Sequence, residues 1–192
     1  MDNKLAKIIT VITLIATMLL AGCSEEKGST LIQYKSTDSE YDMLMKDIFN
    51  EQFITKFNAE DTVEQVMIGK ECYKDGKLTS DEKVISMKLK EDKSGILGIL
   101  FTCNREQCII TTDDATVSSD VREAAWMKSG AYVTYEDEAD KIGERKIKKG
   151  QKEYIYAASK GKDEETISPQ LDPRQDNLNK HGRACYYYVM FE

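Results

Sequence analysis

The chain has 192 residues, with 27 basic and 34 acidic side chains and a formal net charge of −7. That length fits one domain with a sizeable core. The acidic balance argues against nucleic acid, which needs a basic footprint, and against a protein body lying flat on anionic lipid.

In chain order, Asp2, Lys4 and Lys7 form a charged start, and Ile8 to Ala21 is apolar apart from threonines. A permanent membrane helix needs about 20 apolar residues. A charged start, a short apolar core and a small-residue end instead match a secretory signal peptide. The next feature is Leu20-Ala21-Gly22-Cys23, which resembles the lipobox of bacterial lipoproteins. The resemblance implies that the Cys23 thiol receives a diacylglyceryl group and that cleavage before it makes Cys23 the mature N-terminus. Two acyl chains suffice for stable anchoring, since each buried CH₂ contributes about 0.8 kcal/mol. The expected location is the cell membrane, lipid-anchored through Cys23 and facing outside the cytoplasm. The rival reading is an ordinary secretory signal with an incidental cysteine. Removing residues 1–22 takes away Lys4, Lys7 and Asp2 and leaves a net charge of −8.

Ser24 to about Ser39 is small, polar and charged, and reads as a tether. The expected organisation is therefore a signal at 1–22, a tether at 23–40 and one domain at 41–192. Leu31 to Tyr34 can form a short strand before it, and a strand is expected near Lys46 to Thr55. Val63 to Tyr73 is rich in strand formers and runs into Lys74-Asp75-Gly76-Lys77, where Asp-Gly signals a tight hairpin. Residues 84–89 alternate, with Ile85, Met87 and Leu89 on one face. Residues 95–102 form an apolar run suited to a buried central strand, and 107–112 return as its partner. Asp120, Glu123 and Gly130 carry cap and stop signals for one short helix over 119–130, with Trp126 packed on the sheet. Residues 131–135 alternate again, and 144–159 read as two strands about Lys149-Gly150. Residues 184–191 form a closing strand, with Cys185, Tyr187, Val189 and Phe191 on one face and Ala184, Tyr186, Tyr188 and Met190 on the other. Between them, residues 160–183 form a long polar loop with Pro169 and Pro173, either functional or loosely ordered. Short strands with regular turns predict an all-β sandwich or barrel.

Four cysteines follow Cys23, and sequence alone leaves three pairings open. Cys103 and Cys108 stand at the ends of an expected hairpin turn, where cross-strand spacing suits a disulfide. That short loop is worth roughly 2 kcal/mol, whereas a Cys72–Cys185 bridge would close a long loop worth about 5 kcal/mol. Four free thiols are the alternative. A zinc site is not expected, because no CxxC pair occurs and His181 is the only histidine.

The stretches at 47–78, 146–159 and 186–191 resemble immunoglobulin-like domains of lipoproteins from low-GC Gram-positive bacteria. The first contains Glu71, Tyr73, Gly76 and Lys77 in a Glu-x-Tyr-x-x-Gly-Lys hairpin. The resemblance implies an immunoglobulin-like antiparallel β-sandwich and an envelope location. It implies no activity, since such folds host many functions.

Catalytic motifs are missing: there is no GxSxG elbow, P-loop or HExxH. His181 is read as a solvent-exposed loop residue, and a dyad with Cys185 would need both held together in the fold. Asp113, Asp114 and Asp120 form one acidic cluster; Glu136, Asp137, Glu138 and Asp140 form another. Neither has EF-hand spacing, so solvated loops are expected rather than metal sites. Tyr186 and Tyr188 are the candidate binding residues, since tyrosine is enriched at recognition surfaces. The competing view is a strand that is core on both faces, with hydroxyls at its rim. The expected function is a lipid-anchored extracytoplasmic binding or accessory protein, without catalysis or cofactor, that engages a protein or cell-wall partner. The alternatives are a cation- or solute-sensing subunit of a membrane complex and a thiol-redox lipoprotein using Cys103 and Cys108.

Overall fold

The computed structural model describes residues 28–33, 51–101, 105–122, 131–134, 144–162 and 166–192. These residues form an all-β antiparallel sandwich. The strands are β1 (Ser29–Gln33), β2 (Glu51–Asn58), β3 (Gln65–Lys74), β4 (Lys77–Lys88), β5 (Ser94–Phe101), β6 (Arg105–Thr111), β7 (Thr116–Arg122), β8 (Ala131–Thr134), β9 (Glu144–Ile147), β10 (Glu153–Gly161) and β11 (His181–Phe191). One sheet has the order β7-β6-β5-β2-β1-β9 and the other β4-β3-β11-β10-β8.

Each alternating stretch buries one side against the facing sheet. Phe57 of β2 meets Phe191 of β11 with ring centroids 6.0 Å apart, and Phe101 of β5 meets Tyr156 of β10 at 5.0 Å. Leu31, Phe53, Leu97, Ile99, Ile68 and Val189 fill the space between. Burying a side chain of this kind contributes about 1.5–3 kcal/mol, so the apolar alternation is what forces two sheets together. The apolar run at 95–102 becomes β5, an inner strand between β2 and β6.

The Asp-Gly signal is realised as a two-residue turn. Lys74 pairs with Lys77, and Asp75 and Gly76 have φ values of 50° and 80°. Two positive φ angles in succession give the turn twist that matches paired strands.

The structure corrects three expectations and adds to a fourth. Ser29–Gln33 lies inside a sheet, paired with β2 on one side and β9 on the other, with Leu31 fully buried. The sandwich therefore begins well before residue 41, because β2 and β9 need an apolar strand between them. The strand expected at 46–55 is β2 at Glu51–Asn58; residues 34–50 are outside the described set. The helix expected over 119–130 gives way at its start to β7, where Asp120 pairs with Gln107 of β6. A lone capping signal is worth about 1 kcal/mol, and pairing along an existing strand outweighs it. Trp126 lies outside the described residues. Finally, β9 and β10 flank Lys149-Gly150 as expected, but they belong to different sheets. The segment between them crosses from one layer to the other, held by Gly150 N–H donating to the Phe191 carbonyl at 2.8 Å.

Candidate functional site

The outer face of the five-stranded sheet is a tray of tyrosines. Strand registers set Tyr186 beside Glu71, Ala184 beside Tyr73, and Tyr154 beside Tyr188. The rings of Tyr73 and Tyr154 approach Tyr186 edge-on at 5.6 and 6.3 Å, and Tyr154 approaches Tyr188 at 5.9 Å. Edge-to-face pairs of this kind add about 0.5–1.5 kcal/mol each beyond burial.

Every phenol in the tray ends on a carboxylate. Tyr73 and Tyr154 donate to Glu71 Oε2 at 2.9 and 3.1 Å, Tyr188 donates to Asp81 Oδ1 at 2.9 Å, and Tyr186 donates to Asp176 Oδ2 at 2.7 Å. Lys152 joins the first two carboxylates, 2.5 Å from Glu71 and 2.7 Å from Asp81, with its ammonium 4.3 Å from the centroid of the Tyr188 ring. Burial alone would lower the Lys152 pKa. The hydrogen bonds to Asp81 and Glu71 outweigh that and hold it above its ordinary value. Asp81 is held low, chiefly by the Lys152 hydrogen bond.

The polar loop closes the other half of the tray. Leu171 is buried against the sheet, Arg174 lies 5.8 Å from the centroid of the Tyr154 ring, and the Ser159 hydroxyl donates to the Ile167 carbonyl. Asp176 also accepts from Gln170 N–H and sits 3.0 Å from His181 Nε2. Burial pushes Asp176 up, but its hydrogen bonds with His181 and Tyr186 pull it below the usual carboxylate range. Residues 166–180 are thus an ordered cover. A cavity of about 120 Å³ remains at the margin, between Arg145, Tyr154, Asp172 and Arg174.

Tyr186 and Tyr188 are 0% and 3% exposed. Their hydroxyls are tied up at the rim of a two-sided core strand, so they are not an open recognition surface. His181 is likewise 2% exposed at the start of β11. The expectation of a solvated histidine fails because Asp176 supplies a buried polar partner that no local pattern revealed. The Cys185–His181 dyad is excluded because Cys185 is bonded to Cys72.

That bridge joins directly opposed residues of β3 and β11, with Cα atoms 4.1 Å apart. The Cys103–Cys108 pairing is corrected. Cys108 carries a free, buried thiol and stands opposite Ile99. Cys103 itself lies outside the described residues. Burial, then the Glu106 charge, pushes the Cys108 thiol far above the ordinary value. Asp113 and Asp114 are exposed in the β6–β7 turn, and the second acidic cluster lies outside the described residues. Among the described residues, no three metal-ligating side chains converge.

One site that sequence reading missed lies between the sheets. Lys70 of β3 reaches Glu106 of β6 at 2.8 Å, with side chains 7% and 0% exposed. The Lys70 ammonium is 4.8 Å from the centroid of the Tyr187 ring. Lysine at an inward-pointing position of β3 was the available signal, since charged residues are almost never buried unpaired.

The tray predicts late phenol ionisation. Burial, then the Glu71 hydrogen bond and charge, pushes Tyr73 up to about 12, and burial first also raises Tyr154, Tyr186, Tyr187 and Tyr188. A phenol raised on folding stabilises the fold fully below about pH 10, and that contribution is lost as pH rises through the folded value. In an alkaline absorbance titration at 25 °C, these five of the ten tyrosines should ionise only as the protein unfolds. Reversible ionisation of all ten near pH 10 would contradict the network.

No known protein family, curated protein or solved structure matches the chain. The functional reading therefore rests on sequence and geometry.

Proposed function

We propose that this chain is a lipid-anchored extracytoplasmic binding protein without catalytic activity. Cys23 carries the lipid, and the partner is an envelope, cell-wall or extracellular component. The observation that carries the reading is the Cys72–Cys185 disulfide at the middle of a sheet. Structural disulfides persist in oxidising, exported compartments, which agrees with the lipobox-like ending at Cys23. The resemblance to immunoglobulin-like lipoprotein domains fits the same reading. The tyrosine tray is closed to solvent, so it is neither a recognition surface nor a source of a catalytic group. Its phenols are held as hydrogen-bond donors, and the free Cys108 is buried with its thiol protonated, whereas a nucleophile needs a lowered pKa or an adjacent base.

The test is the intact mass of protein extracted from membranes, with thiols labelled in denaturant before and after reduction. A diacylglyceryl mass on a chain beginning at Cys23, with Cys72 and Cys185 labelled only after reduction, is the expected result. A secreted chain without lipid would overturn the anchor. Turnover of a wall or peptide substrate, abolished by a point change, would overturn the non-catalytic role.

A further inference from the structure

At one end of the five-stranded sheet, four basic residues stand in a row. Lys77 pairs with Lys74, Lys74 with Arg183, and Arg183 with Lys160, on β4, β3, β11 and β10 in turn. Like charges directly opposite one another destabilise a sheet. A chain with a net charge of −7 nevertheless places four cations on one rung. Beside the rung is a cavity of about 420 Å³, within the range of small-ligand sites. Lys74, Lys160, Lys162 and Arg183 line it, and Asp75 is the one carboxylate among the lining residues. Among the described residues, Lys74, Lys162 and Arg183 make no ion pair.

The backbone around the cavity is well held. Asp75 N–H donates to the Gly182 carbonyl at 3.2 Å, tying the β3–β4 turn to β11. A side chain at Gly182 would start 3.0 Å from the Gly161 carbonyl oxygen and 3.1 Å from Lys162 Cα, so glycine permits the close approach beneath the cavity. The Cys72–Cys185 bridge lies two residues inward of the Lys74–Arg183 pair and locks the same two strands. The backbone that carries the cations is therefore fixed before any ligand arrives, which lowers the ordering cost of binding.

We propose that this cavity binds a phosphate-type oxyanion. An arginine fork matches two phosphate oxygens at once, and lysines add point charges around it. A phosphate group, whether free or esterified, presents more oxygens to such a cluster than a single carboxylate does. The proposal deepens the binding reading given above by naming the chemistry the domain would hold.

The test is titration calorimetry of the full chain with inorganic phosphate and with pyrophosphate, against sodium chloride at matched ionic strength. A parallel arm uses vesicles of phosphatidylglycerol against phosphatidylcholine. Saturable binding of free phosphate or pyrophosphate identifies a soluble source, and binding confined to phosphatidylglycerol vesicles identifies a lipid headgroup. Lys74→Ala and Arg183→Ala should each weaken binding about tenfold, as expected for one charge-assisted contact. Without ligand, each should raise the melting temperature by relieving repulsion. Lys160→Gln serves as a further variant should either alanine variant fail to fold. Binding to neither source, or equal binding by the variants, overturns the proposal. Because the calorimetry in free solution does not depend on the lipid, loss of this site would leave the Cys23 anchor standing.

Discussion

Replacing Glu106 by alanine is expected to destabilise the protein by about 3–5 kcal/mol, the cost of leaving one partner of a buried ion pair uncompensated. Lys70 is 6% exposed and reaches Glu106 from the opposite sheet at 2.8 Å. With the carboxylate gone, its ammonium keeps, among the described residues, the Tyr187 ring, a contact worth roughly 0.5–2 kcal/mol. The pair is already incompletely satisfied: Glu106 Oε1 and the Tyr187 hydroxyl lack partners in hydrogen-bond geometry. Glu106 still adds to burial in raising the Tyr187 pKa. Because the pair itself gains little over apolar packing, the double change Lys70→Met with Glu106→Leu should recover most of the loss. Urea unfolding followed by circular dichroism at constant m-value would read both effects. Should the alanine variant not fold, Glu106→Gln keeps the shape and still removes the charge. A loss below about 1 kcal/mol would mean that Lys70 is not desolvated, since only an exposed pair is worth so little.

Removing the Cys72–Cys185 bridge should cost at least as much. The cysteines are 113 residues apart in sequence, and closing a loop of that size restricts the unfolded chain by about 5 kcal/mol in the chain-entropy estimate. The cross-link sits on adjacent strands at the middle of a sheet, where the register holds it without help from the bridge. The native near-UV spectrum of Cys72→Ala/Cys185→Ala should therefore stay close to that of the oxidised protein while the urea midpoint falls. Reduction of the unaltered chain should lower the midpoint similarly. An unchanged midpoint after verified reduction would show that the bridge does not constrain the unfolded ensemble. A lost near-UV spectrum would instead assign it a role in native packing.

Much of the local structure was legible in the sequence. Alternation at 84–89 and 184–191 marked strands, since side chains in a strand point to opposite faces by turns. Asp75-Gly76 marked a tight turn because few other residues accept positive φ at both central positions. The closing strand was also read with the correct two faces, and the structure decides between the readings of Tyr186 and Tyr188 in favour of a two-sided core. The helix expected at Asp120 shows the limit of such signals. A cap is a local preference of about 1 kcal/mol, and the neighbouring β6 offers a full ladder of hydrogen bonds.

What the amino-acid sequence determined by itself was the all-β character, the faces of the stronger strands and the Asp-Gly hairpin. Tertiary structure alone decided which strands became neighbours. It separated β9 from β10 into different sheets, drew β1 into the middle of a sheet, and set β11 between β3 and β10. From those choices follow the Cys72–Cys185 bridge, the Lys70–Glu106 pair and the row of Lys77, Lys74, Arg183 and Lys160. A period of two reports which residues share a face of one strand, but carries no address for the strand beside it. Neighbours are chosen by the joint burial of segments far apart in the chain, as when Phe57 meets Phe191. Each site of chemical interest here lies on pairs of that kind.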